Sequence, residues 1–254
     1  MEKNKLYRLL SGTVLVSVLL ISFTNIFSSS ASYFFKNNKD DISVTGSASV
    51  DFTSNLIVWR GNFSKKNKDL KVAFADIKKD KSTIKDFLLS KGVNQNELVF
   101  KSIDINKHYK TKNRYNNDGD KVSSERIFNE YLLEQTIEIT SENVDLIENV
   151  SNDITDLIEN DVFISSEAPS YYYTNLGELK IEMIKLASEN GLLRAQTALN
   201  GGGAELGDLL ETSIGVFQIL GKNSDDNFSW GGTLNTSKKH KTAFVNVKQR
   251  FEID

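Results

Sequence analysis

From Ile42 onward the apolar residues switch repeatedly between a spacing of two and a spacing of three to four, and this change of period restricts the fold more than any other feature. Ile42, Val44 and Val50 lie in ISVTGSASVDF, and LIVWRGNF follows the Thr53-Ser54-Asn55 break. Their β-branched and aromatic content predicts two strands paired with each other. Leu70, Phe74, Ile77, Ile84, Phe87 and Leu88 then recur at three, four and seven, which predicts an amphipathic helix over 67–91 with lysines on its other face and Gly92 as its C-terminal cap. LVFKSIDI (98–105) and YLLEQTIEIT (131–140) alternate as strands, and a long-armed hairpin around the intervening polar stretch is expected.

Helical spacing returns over 141–160 through Val144, Ile147, Ile154, Leu157 and Ile158, and VFIS (162–165) reads as a short strand ending near Pro169. A third helix is expected over 176–199, with Leu179, Met183, Leu186, Ala187, Leu193 and Ala198 as its apolar or small positions and Gly201, Gly202 and Gly203 ending it. Ile214–Ile219 reads as a strand and 222–238 as a long loop. In the closing strand Ala243, Val245, Val247, Phe251 and Ile253 point one way, with Asn246, Lys248, Arg250 and Glu252 the other. The order ββαββαβαββ is α+β, with a mostly antiparallel sheet and strand-strand-helix units, in one domain over 42–254.

Lys3, Lys5 and Arg8 precede an uncharged run from Leu9 to Phe35 whose densest part is VLVSVLLISF. Residues 1–35 read as a cleaved signal peptide or a membrane anchor, preceded by charges that stay cytoplasmic. A hydrophobic helix is expected there. Ser29, Ser30 and Ala31 could supply a cleavage site, whereas the 19 residues from Leu9 to Phe27 approach a membrane span. KNNKDD (36–41) reads as a short polar linker to an exported body. Beyond residue 35 the chain holds 28 basic and 33 acidic residues, so no nucleic-acid partner is expected. It has no cysteine, which excludes disulfides, thiolate metal sites and Cys nucleophiles.

The opening ISVTGSASVDF, the segment EQTIEITSENVDLIENV leading to VFIS, Arg194-Ala195 and Ala198 in the third helix, Glu205-Leu206-Gly207, and the closing VNVKQRFEI stand in an order that resembles the SIMPL domain family of bacterial envelope proteins, also described as oxidative-stress-defence-like. A third helix poorer in alanine and the run Tyr171-Tyr172-Tyr173 depart from that pattern. The resemblance implies an exported α+β domain that can form ring- or barrel-like homo-oligomers, with links to stress and partner binding. It offers no catalytic residues to carry over.

Asn116, Asp118, Gly119 and Glu125 stand at calcium-loop spacing, but Arg114 occupies the first ligand position, and a hairpin turn through Asn-Asp-Gly is the expectation. GGGAELG lacks the register of a phosphate-binding loop. His108 and His240 are each flanked by lysines, which disfavours metal binding. Lys107, His108, Lys110, Lys112 and Arg114, interleaved with Tyr109 and Tyr115, form a basic stretch that could dock an anionic surface. Residues 64–91 hold nine lysines and four aspartates while 141–167 hold eight acids and no base, a contrast suited to head-to-tail contact between copies. Tyr171, Tyr172, Tyr173, Phe228 and Trp230 are expected at a sheet rim or an interface.

No catalytic, cofactor or metal residue is assigned. The function expected is that of a non-enzymatic exported envelope protein that self-assembles and binds partners in envelope or oxidative stress. The alternative is a small-molecule or ion-binding envelope protein that uses a cavity formed by oligomerisation.

Overall fold

The structure is a computed structural model that describes residues 40–254. The expected N-terminal hydrophobic helix and most of the linker lie outside the described residues. Strands β1 (Asp41–Thr53) and β2 (Leu56–Asn67) are followed by helix α1 (Leu70–Ser90), strands β3 (Leu98–Phe100), β4 (Asp104–Tyr115) and β5 (Lys121–Ser141), and helix α2 (Val144–Asp153). A 3-10 turn (Ile154–Asn160), β6 (Ile164–Ser166), β7 (Ser170–Tyr172) and helix α3 (Leu176–Asn200) come next. The chain closes with β8 (Leu206–Ile214), β9 (Gln218–Gly221), β10 (Thr233–Leu234) and β11 (His240–Ile253). The fold is α+β, and among the described residues its ladders are mostly antiparallel, with β10 parallel to β9.

The described residues form two sheets. One has the order β1-β11-β9-β10 with β8 also on β11, and the other β3-β5-β2-β6 with β4 on β5 and β7 on β2. The expected β1–β2 pair is therefore corrected: the two strands belong to different sheets. The reason is visible at their junction, where Ser54 N–H donates to Lys239 O at 2.9 Å and Asn55 N–H donates to Tyr172 O at 3.0 Å. One amide turns to the residue that precedes β11 and the next to β7 of the other sheet, so the junction does not close as a hairpin.

The chain divides into two compact units. One comprises residues 48–185 and 216–245. Its core joins Ile57, Trp59 and Phe63 of β2 and Leu133, Ile137 and Ile139 of β5 to Ala73, Ile77, Ile84 and Leu88 of α1 and to Val144, Ile147 and Val150 of α2. Each fully buried aliphatic side chain of this kind contributes about 1.5–3 kcal/mol. Asp69 caps α1 by accepting from Lys71 N–H at 2.7 Å, and Gly92, at φ +96°, ends it as expected, with Val93 N–H returning to Leu88 O.

The other unit comprises the described residues up to Ser47 with 186–215 and 246–254. Here the latter half of α3 lies close on β1. Gly46 meets the backbone of Ala187 and Gly191, Arg194 Nη1 donates to Thr45 O at 2.9 Å, and Ser47 N–H donates to Asn190 Oδ1 at 3.1 Å. Along α3 every fourth residue is buried: Leu179, Met183, Ala187, Gly191, Ala195 and Leu199. Leu186 and Leu193, expected on that stripe, are exposed.

Three further differences concern boundaries. The expected strand 214–219 is split by Gly215, whose N–H donates to Asn246 O, into the longer β8 before it and β9 after it. The loop 222–238 holds the short β10 and is pinned by Asp226, whose Oδ2 accepts from Gly221 N–H at 2.8 Å and from Asn235 Nδ2 at 2.7 Å. The buried side of β11 includes Lys241 and Gln249 besides the expected residues.

Candidate functional site

β4 and the first half of β5 form a two-stranded arm. Every residue of β4 is exposed, and β5 is exposed or half-buried until Leu132. The arm is the expected hairpin made longer, since the stretch read as polar connection is itself ladder. Its turn is the expected Asn-Asp-Gly turn: Asn116 Oδ1 accepts from Asp118 N–H at 3.1 Å and Asp120 N–H at 2.7 Å, with Gly119 at φ +87°. The oxygen that a calcium loop would need is already committed to the turn.

The register sorts the arm's side chains onto two different faces. Ile105 opposes the buried Leu133, and Lys107 opposes Tyr131, which packs against the core, so this face continues the sheet surface that α1 and α2 cover. A bulge at Asn129 keeps the alternation, and Tyr109 then opposes Phe128 and Thr111 opposes Arg126. Phe128 lies 5.0 Å from Tyr131 and 6.1 Å from Tyr109, and the Arg126 guanidinium stacks 5.2 Å from the Tyr109 ring. Ile105, Tyr109, Tyr115 and Phe128 are exposed, so the row has no cover. Its charges, Lys107, Arg126 and, opposite Tyr115, Lys121, are all positive.

The opposite face carries His108, Lys110, Lys112 and Arg114 of β4 beside Glu130, Ile127, Glu125 and Ser123 of β5. The basic stretch of the sequence is thus divided. Lys107, Tyr109 and Tyr115 lie on the aromatic face, and of the other cations His108 stands beside Glu130 and Lys112 beside Glu125. A row of charges along an edge strand also discourages ladder growth, which leaves the aromatic face as the surface suited to contact. At the base of the arm, Asn62, Ser64, Asp104, Glu134, Thr136 and Ser165 line an open polar groove of about 400 Å³. Asn62 is already engaged there, accepting from Thr136 Oγ1 and donating to Glu167.

Titratable groups gather at a second place. Lys239 Nζ bridges Asp145 and Glu148, and Tyr171 O–H donates to Glu148 Oε1 at 2.9 Å. The Lys239 ammonium holds both carboxyls below their usual range, so neither is tuned as a general acid. Burial, reinforced by the bond to Glu148, pushes the Tyr171 hydroxyl up to about 12. Lys241, 1% exposed, donates to Tyr171 O at 2.6 Å, and burial pushes its ammonium down to about 8. With Phe52, Tyr171, Tyr172, Tyr173, Leu176, Ile219 and Leu234 it lines a cavity of about 30 Å³, space for a water rather than an organic ligand.

The tyrosine run thus forms a wall that includes neither Phe228 nor Trp230. Phe228 touches Phe244 at 5.5 Å, and Trp230 is fully exposed. His240 Nδ1 meets Thr53 Oγ1 at 3.1 Å, while His108 stands on the other sheet. Gly202 N–H donates to Leu199 O, so the glycine triplet ends α3. Of the oppositely charged segments, Lys91 and Asp153 meet within one copy at 2.7 Å. Among the described residues no group of three or more His, Asp or Glu is placed to hold a metal ion, and no helix is long and apolar enough to cross a membrane.

Lys241 yields a pH-dependent prediction. In the folded chain its ammonium is penalised, so the parent protein gains stability as pH rises from about 8 towards the ordinary 10.5, where the unfolded chain still binds the proton. Lys241→Met is expected to stabilise the fold by about 1–2 kcal/mol at pH 7, because the apolar isostere removes a buried unpaired charge and loses one hydrogen bond. Urea melts should show that advantage shrinking above pH 8, and a pH-independent difference would contradict the assignment.

Together these elements define an α+β protein in which a helix-covered antiparallel sheet extends into an uncovered two-stranded arm. The family model described as SIMPL, protein of unknown function (DUF541), matches residues 42–238, and the chain belongs to that family. No curated protein matches the chain.

Proposed function

We propose that this protein is an exported, membrane-associated module of the bacterial envelope that works by assembling with copies of itself and by binding partner proteins, and not by catalysis. The observation that carries this reading is the uncovered continuation of the core sheet face onto the arm. An isolated two-stranded ribbon is marginally stable in water, and one that presents Tyr109, Phe128 and Ile105 to solvent is suited to being covered by another surface. The basic N-terminus and the uncharged run after it support export, and the resemblance supports self-assembly and a stress role. That stress role is indirect, because a chain without cysteine and with Met183 as its one methionine after Met1 has little sulfur to oxidise.

The test is the mass of the full chain extracted from membranes in mild detergent, by light scattering together with intact mass spectrometry. A particle several times the 28.5 kDa chain is expected. A monodisperse monomer at working concentration would overturn the self-assembly reading.

A further inference from the structure

We propose that the aromatic face of the arm docks on residues 156–163 of a second copy of this chain, in a head-to-tail contact. The inference rests on the self-assembly reading and names its interface. The arm face combines exposed Ile105, Tyr109 and Phe128 with Lys107 and Arg126 and carries no carboxylate. Residues 156–163 combine exposed Ile158 and Phe163 with exposed Asp156, Glu159 and Asp161 and carry no cation. Each patch supplies what the other lacks: apolar surface on both sides, positive charge on one and negative charge on the other.

Within one copy the acids of 156–163 have few claims on them. Lys65 Nζ reaches the Asp161 backbone oxygen at 3.3 Å and leaves that carboxylate free for another contact. The neighbouring Asp153 is already held by Lys91 and does not belong to the docking surface. On the arm, Arg126 is oriented by its stack on Tyr109, so its guanidinium meets a carboxylate with little further ordering. The two patches are different surfaces of the same molecule. A contact between them is therefore heterologous and repeats from copy to copy, closing as a ring or growing as a filament according to its rotation.

The experiment uses two charge-reversed full-length chains, K107E/R126E on the arm and D156K/E159K on the acceptor, with oligomer mass read by light scattering and folding checked by circular dichroism. All four positions are exposed or at the surface, so both variants should melt as the parent does. Each alone is expected to associate about tenfold more weakly or less, since like charges then face each other across the contact. An equimolar mixture should recover the parent mass, because arm and acceptor become complementary again at every alternating contact. If the parent assembles and both reversals leave its mass unchanged, this interface is wrong while the assembly reading stands. If the parent is a monomer, both fall. If the arm variant keeps its mass but loses binding to vesicles containing anionic phospholipid, the face serves a membrane and the proposal is overturned.

Discussion

Gly46→Ala is expected to destabilise the unit built on the latter half of α3 by about 3 kcal/mol or more, at the upper end of what overpacking costs. A Cβ at Gly46 would fall inside the van der Waals shells of Ala187 O and Gly191 N and would stand 2.8 Å from Gly191 Cα. All three obstacles are helix backbone, and relief would require α3 to lift away from β1. That movement would also disturb the bonds from Arg194 to Thr45 O and from Ser47 N–H to Asn190. Gly191→Ala separates this cause from mere crowding. Its Cβ would meet Gln249 Oε1, the end of a side chain that can turn, so a cost of about 1–2 kcal/mol is expected. Gly177→Ala, with nothing within 4 Å, should be neutral or slightly stabilising. Urea denaturation of the three variants, with hydrogen exchange at the amides of 186–200, tests the ranking. A Gly46→Ala chain no weaker than Gly191→Ala would mean that the helix can move at little cost.

The same contact marks a limit of sequence reading. On α3 the apolar periodicity selects Leu186 and Leu193, both of which are exposed. The packed stripe keeps the expected Leu179, Met183 and Ala187 but continues through Gly191 and Ala195, residues that contribute closeness more than hydrophobicity and so carry little weight in an apolar pattern. α1 was legible because Ile77, Ile84 and Leu88 are large, buried and in helical register and its cap is a glycine, although Phe74, expected on the same stripe, is exposed and Ala73 is buried beside it. β11 was legible because strict alternation survives where one face is buried. The β1–β2 pairing was not legible, since a prior that neighbouring strands pair knows nothing of the amide of Ser54 turning to the residue before β11 and that of Asn55 to β7.

The arm lay deeper still. DINKHYKTKNRY has no buried position, and its strand is held by cross-strand partners 6 to 30 residues away rather than by a core, so most of it reads as connection. Its turn could be read because Asn-Asp-Gly chemistry is local. The division of its cations between two faces depends on register, and the bulge at Asn129 that sets the register leaves no mark in the sequence. Family membership was legible because it rests on the order of many weak patterns over most of the chain, and the match over 42–238 covers all of those patterns except the closing VNVKQRFEI.

A buried ion pair under α1 carries the other large expectation. Asp80 is on the buried side of the helix with Ala73, Ile77, Ile84 and Leu88, and Lys65 of β2 reaches its Oδ2 at 2.9 Å. Periodicity alone would place an apolar residue there. Lys65→Met is expected to cost about 3–5 kcal/mol, because the helix then buries a carboxylate with no counter-charge. Asp80→Leu alone should cost less, since the Lys65 side chain is a quarter exposed and its ammonium can turn to water. The double variant Lys65→Met with Asp80→Leu should recover most of the loss, as an apolar pair of similar volume replaces a buried carboxylate and its half-buried partner in a site already walled by aliphatic side chains. A double-mutant cycle of urea melts reads the coupling directly. If Lys65→Met proves as mild as Asp80→Leu and the two effects simply add, water reaches Asp80 and the pair is a surface bridge of little worth. Strong coupling would instead place the specificity of α1 for this sheet in one charge pair, set among apolar contacts that would accept the helix in more than one register.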